Sequence, residues 1–201
     1  MLRLLRDLFE VIVDTESFFR EAKDRGKGEA LFYFFFITLV ALLINLLFLS
    51  QGIAPAGLAP FEKFLEVSSR EAFLIPFIYF VGGFLFLGFF AFMLSNILVS
   101  MGIGTGFKGA LNAISYSLTP AVLTMWFPVL GIIFLAWSFY MMAMGLRVFN
   151  KASLQANGKA SILGGLLTGM LFVVSLLAIG YWILLSQGSD LALLWTVLLP
   201  F

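Results

Sequence analysis

The chain has 201 residues, a formal net charge of +1, 62% hydrophobic and only 11% charged side chains. With a mean hydropathy of +1.07 it departs from a soluble domain, which carries roughly a quarter charged residues, and reads as an integral membrane protein. It contains neither Cys nor His, which excludes disulfides, thiolate nucleophiles, imidazole-based catalytic pairs and Cys/His metal sites. No Arg/Lys run interleaved with aromatics points to nucleic acid.

Residues 1–28 do not form a signal peptide, because Asp7 and Glu10 interrupt any apolar core. Leu2, Leu5, Leu8, Phe9, Ile12 and Phe19 recur at three- and four-residue spacing, with Arg3, Arg6, Asp7, Glu10 and Asp14 on other faces. This pattern predicts an amphipathic N-terminal helix, which either lies along the membrane surface or packs on the cytoplasmic ends of the bundle. Asp14 and Ser17 are placed to cap a second short helix carrying Phe18 and Phe19.

Every carboxylate except Asp190 lies between Asp7 and Glu71. The uncharged stretches that follow can be measured against the ~20 residues a helix needs to cross ~30 Å of hydrocarbon. Residues 30–50, 72–101 and 160–186 each suit one crossing. Residues 109–146 are too long for one crossing and are predicted to form two, 109–127 and 128–146, turning at Pro128 and Gly131. The expected architecture is therefore all-α, a polytopic bundle of five transmembrane helices forming a single domain over 1–201. The segment 51–71 is predicted to hold a short interfacial helix, and the tail 187–201 to lie in the outer interface with Trp195 at headgroup depth.

Five crossings put the termini on opposite sides. With the N-terminus in the cytoplasm, ten Lys/Arg fall inside and only Lys63 and Arg70 outside, as the positive-inside rule requires. A single crossing over 109–146 would reduce this to seven against five. The expected topology is a cell-membrane protein with a cytoplasmic N-terminus and an extracytoplasmic C-terminus.

Few motifs carry chemistry. Gly102, Gly104, Gly106 and Lys108 lack the GK[ST] ending and the preceding strand of a phosphate loop, so they read as an inner connection. Gly165 and Gly169, with Gly164 and Thr168, form a small-residue stripe for helix packing, within the bundle or in a homo-oligomer. The third span is the most polar: Lys108, Asn112, Ser115, Tyr116 and Thr119 share one helical face, and Pro120 should kink it and free a carbonyl. Asn96, Ser100, Asn45 and Ser138 are candidates to join that face. It serves either a ligand path near the inner leaflet or interhelical hydrogen bonds, each worth ~0.6 kcal/mol in lipid. No Asp or Glu falls in any span, which argues against ion-coupled transport and intramembrane aspartyl proteolysis. Ser115 and Ser117 have no base to activate them. No catalytic, metal or cofactor site is expected.

The string Phe107–Pro120, FKGALNAISYSLTP, resembles the signature of the Yip family of Ypt/Rab-interacting integral membrane proteins, in its wider form with archaeal and bacterial members. The matching positions are Tyr116, Thr119, Pro120, Pro128, Trp137, Gly145, Leu146, Lys159 and Ala160. Ser17-Phe18-Phe19-Arg20 is similar to the family's approach to its first span, although Thr15-Glu16 stands where a Pro often precedes. The resemblance implies a five-helix bundle with the N-terminus inside. Eukaryotic members are tied to vesicle traffic and small GTPases; this chain lacks their long cytoplasmic N-terminal domain and acidic Asp-Leu-Tyr-Gly-Pro string, as expected of a prokaryotic or archaeal-like member. Two functions fit: a non-enzymatic, trafficking-like scaffold that binds lipids, or protein partners through its N-terminal segment, and a passive channel, carrier or lipid-translocating path along the third span.

Overall fold

A computed structural model describes residues 2–50, 74–104, 106–124 and 128–186. Their helices are α1 (Leu2–Val13), α2 (Thr15–Ala22), α3 (Lys27–Ser50), α4 (Leu74–Ser100), α5 (Gly106–Ser117), α6 (Thr119–Thr124), α7 (Pro128–Asn150) and α8 (Leu154–Ser186). The segment 51–71, the tail 187–201 and residues 125–127 next to the expected turn lie outside the described residues, as does the side chain of Asn45.

The boundaries follow from local chemistry. Asp14 caps α2 by accepting a hydrogen bond from the Ser17 amide at 3.3 Å, which satisfies one of the amides a helix start leaves open. At the end of α4 the Ile103 amide reaches back to the Leu98 carbonyl and the Gly102 amide to that of Val99. Gly102 has φ +70°, so the termination is a Schellman motif that needs a residue without Cβ strain. Pro128 opens α7 at the position where a missing amide costs nothing. Asn150 and Asn157 then clasp each other across the α7–α8 connection, amide to carbonyl both ways at 2.7 and 3.1 Å.

Among the described residues three helices are long and apolar enough to cross a membrane, over Lys27–Ile44, Phe80–Ser100 and Leu130–Asn150. The stretch expected as a third span is divided at Leu118 into α5 and α6. Its cause is Pro120, which cannot donate to the carbonyl of Tyr116 four residues back. The helix α8 begins at Leu154, ahead of the 160 expected from charge, because Lys159 sits on its exposed side and can reach outward without ending the helix.

The broken element is the centre of the bundle: every residue from Ala110 to Pro120 is buried. It packs against α3, α4 and α7, while α8 covers α4 and α7 and α2 lies on α7. One apolar cluster joins α4, α5, α7 and α8 through Phe90, Leu94, Ile114, Met142, Leu146 and Ala160. A second joins α1 and α2 to α3, α5 and α7 through Val11, Phe18, Phe19, Tyr33, Tyr116 and Met141. The outward faces are themselves apolar, with Phe32, Leu43, Leu85, Ile132, Leu166 and Met170 all exposed. That is far more apolar surface than a water-soluble monomer leaves open and suits hydrocarbon as the solvent.

Close approach of α2 to α7 depends on Gly145. A Cβ there would stand 2.7 Å from the Phe19 ring, whereas one at Gly88 of α4 meets nothing within 4 Å. Gly145→Ala should therefore destabilise the detergent-solubilised protein by about 1–3 kcal/mol, the usual range for overpacking. Gly88→Ala should be neutral or slightly stabilising, and equal melting temperatures for the two variants would refute the contact.

Candidate functional site

The polar centre of the molecule lies where α1 and α2 meet the bundle. Arg25, in the turn between α2 and α3, forms a two-pronged ion pair with Asp7 of α1, at 2.7 and 3.1 Å. Both side chains are about 5% exposed. The Arg25 guanidinium also meets Glu21 at 3.2 Å and lies over the rings of Phe18 and Tyr116. Its backbone carbonyl accepts from Nδ2 of Asn112 at 3.2 Å. Burial works to lower the Arg25 pKa, but the Asp7 carboxylate and Tyr116 more than offset it and hold the group above the ordinary arginine value. The charge is permanent. Phe18 packs edge-on to Tyr116 and Phe19 edge-on to Phe149, so aromatic contacts surround the ion pair.

One turn further along, the Thr-Pro pair repairs its own damage. The Tyr116 carbonyl that Pro120 leaves without a partner accepts from the Thr119 hydroxyl at 2.7 Å. Thr119 has then used its only hydrogen, so the Tyr33 hydroxyl of α3, 2.9 Å away, must be the donor in their contact. Tyr33 thereby fastens α3 to the break between α5 and α6.

The structure gathers only part of the expected polar face. Asn112, Ser115, Tyr116, Thr119 and Pro120 are buried together, with Ser115 Oγ and Asn112 Oδ1 left without hydrogen-bond partners among the described residues. Lys108 is exposed at the start of α5. Asn96 does not join them: it is exposed on α4 and returns its Nδ2 to the Phe92 carbonyl of its own helix at 2.9 Å. Ser138 is buried in α7 with its hydroxyl unpartnered among the described residues. On α8, Gly165 admits the Phe139 ring, which a Cβ would meet at 2.5 Å, but Gly169 has nothing within 4 Å. Spacing alone missed Asp7–Arg25 and the Asn150–Asn157 clasp. The second had a legible signal, two Asn flanking a short polar connection.

Two cavities open at this end of the bundle. One of about 190 Å³ is lined by Lys23, Lys108, Asn112, Phe149 and the backbone of Gly104 and Gly109. A larger groove of about 480 Å³ lies between α2 and the end of α7, lined by Glu16, Arg20, Lys23, Arg147, Val148 and Lys151. Among the described residues no cluster of His, Cys, Asp or Glu could hold a metal ion.

Compared with known proteins, residues 9–179 match the family model described as the Yip1 domain. No curated protein and no solved structure matches. With its membrane-length helices, the chain is a multi-pass membrane protein.

Removing one member of a buried ion pair strands the other, typically at a cost of about 3–5 kcal/mol. Asp7→Asn should lower the melting temperature and speed trypsin cleavage after Arg20 and Lys23, through loosening of α2, in the detergent-solubilised protein. Glu10→Gln, which touches only the exposed pair with Arg6 at 3.3 Å, should change stability by less than about 0.5 kcal/mol. Matching digestion rates for the two variants would show that the pair does not hold the N-terminal helices down.

Proposed function

Because this chain belongs to the Yip1 domain family of membrane proteins, we propose that it is a non-enzymatic scaffold of the cell membrane that presents its N-terminal segment to protein partners. The observation that carries this reading is the way α1 sits. It is tethered through Asp7 and Val11, which are buried, yet Phe9 and Val13 stand 66% and 82% exposed. Large apolar side chains held outward on a fixed helix are suited to a partner's groove or to the headgroup boundary. The reading includes an amphipathic α1, five crossings, a cytoplasmic N-terminus and an outward C-terminus. The ten-to-two division of basic residues supports that topology.

A conducting path along the third span has less support. Asn112 gives its Nδ2 to the Arg25 carbonyl, Thr119 is shared between the Tyr116 carbonyl and Tyr33, and Phe18 and Phe19 pack against the Tyr116 ring.

Two experiments test the proposal. Replacing Phe9 and Val13 by Ser removes no buried contact, so stability should hold within about 0.5 kcal/mol while partner recovery in a crosslinking pull-down falls. Deleting residues 1–25 should abolish it. Undiminished recovery from both variants removes the basis for the N-terminal surface. Separately, tags at Met1 and Phe201 should label from opposite sides of the membrane; labelling from one side would overturn the five-crossing topology.

A further inference from the structure

We propose that the groove between α2 and the end of α7 is the headgroup site of an anionic phospholipid. Glu16 is taken up by Arg20 at 2.6 Å, while the side chains of Lys23, Arg147 and Lys151, which line the same concavity, make no ion pair among the described residues. Cations gathered around one hollow repel each other until a counter-charge arrives. A phosphate is compact, multiply accepting, and matched by an Arg fork with ammonium groups beside it. The hollow is also pre-shaped. Lys151 has φ +59° and follows Asn150, whose side-chain Oδ1 accepts from the Ala152 amide at 2.9 Å and whose Nδ2 donates to Asn157. The residue therefore stands in a fixed turn instead of a frayed helix end, which reduces the ordering cost of binding.

The source of the phosphate is read from the helix below. Ile133, Trp137 and Tyr140 precede Arg147 at spacings that keep all four on one face of α7, and they are 56%, 42% and 46% exposed. From Ile133 to Arg147 the helix rises about 21 Å at 1.5 Å per residue, more than the ~15 Å depth of one leaflet. An apolar stripe thus leads along a membrane-length helix directly into the cationic hollow. A lipid fills both parts at once, its phosphate in the groove and an acyl chain along the stripe. A soluble phosphate or an acidic peptide would leave the stripe bare. Basic pockets at helix ends are suited to such headgroups. The inference rests on α7 crossing the membrane and is independent of any protein partner.

The test is native mass spectrometry of the full chain in neutral detergent, titrated with phosphatidylglycerol, with phosphatidylcholine, and with inorganic phosphate as competitor. Phosphatidylglycerol should be retained in preference to phosphatidylcholine, and Arg147→Gln/Lys151→Gln should lower its retention about thirtyfold, from two surface cations and the energy of a tenfold change in affinity. Arg147→Lys should retain most of the binding. Trp137→Ala should weaken retention of phosphatidylglycerol, and a thermal melt in the neutral detergent checks that each variant is folded. Equal retention of the two lipids, or unchanged retention in the double variant, overturns the site. Displacement by millimolar inorganic phosphate overturns the lipid as its occupant.

Discussion

Arg25 is the constraint on which the N-terminal end of this bundle depends, because it acts through both its side chain and its backbone. The guanidinium closes on Asp7 and brings α1 down; the carbonyl, fixed by the same turn, receives Asn112 from the centre of the bundle. A buried cation is costly to desolvate and stays buried only with a well-placed counter-charge and further contacts. Here Asp7, Glu21 and the faces of Phe18 and Tyr116 supply them. The N-terminal helices thus belong to the same packed unit as the membrane-length helices.

The second organising fact is the placement of the least regular helix at the centre. In hydrocarbon a carbonyl that loses its helical partner has no water to turn to. The break at Pro120 is tolerable because Thr119 supplies the missing donor and because α3, α4 and α7 surround it. Helices with intact ladders are left to face lipid with Phe, Leu and Ile. Polar groups and backbone irregularity are thus concentrated where protein covers them.

The helices were legible in the sequence because their cause is local: long uncharged stretches, a capping Asp14, a proline after a threonine. The family was legible for the same reason, since its ordered positions Tyr116, Thr119 and Pro120 lie on one short stretch and residues 9–179 match as a whole. Pairings between distant residues were not. Nothing in the string singles out Asp7 from the other carboxylates as the partner of Arg25, nor tells that Phe19 will need the bare backbone of Gly145. Helical spacing also cannot say whether two polar faces meet. Asn96 has the right residue type and depth, yet it turns away and bonds its own helix. Charge bounds a span at 160 but does not bound its helix, which starts at Leu154 because Lys159 rides on an exposed side without ending it.

The direction of the hydroxyl string from Tyr33 through Thr119 to the carbonyl of Tyr116 has an electrical consequence. A proton relay needs links that can reverse and a terminus that can accept a proton. This string runs one way and finishes on an amide oxygen, which is far too weak a base to take one. Along that line the middle of the bundle is an insulator, and polarity there serves as mortar without becoming a wire.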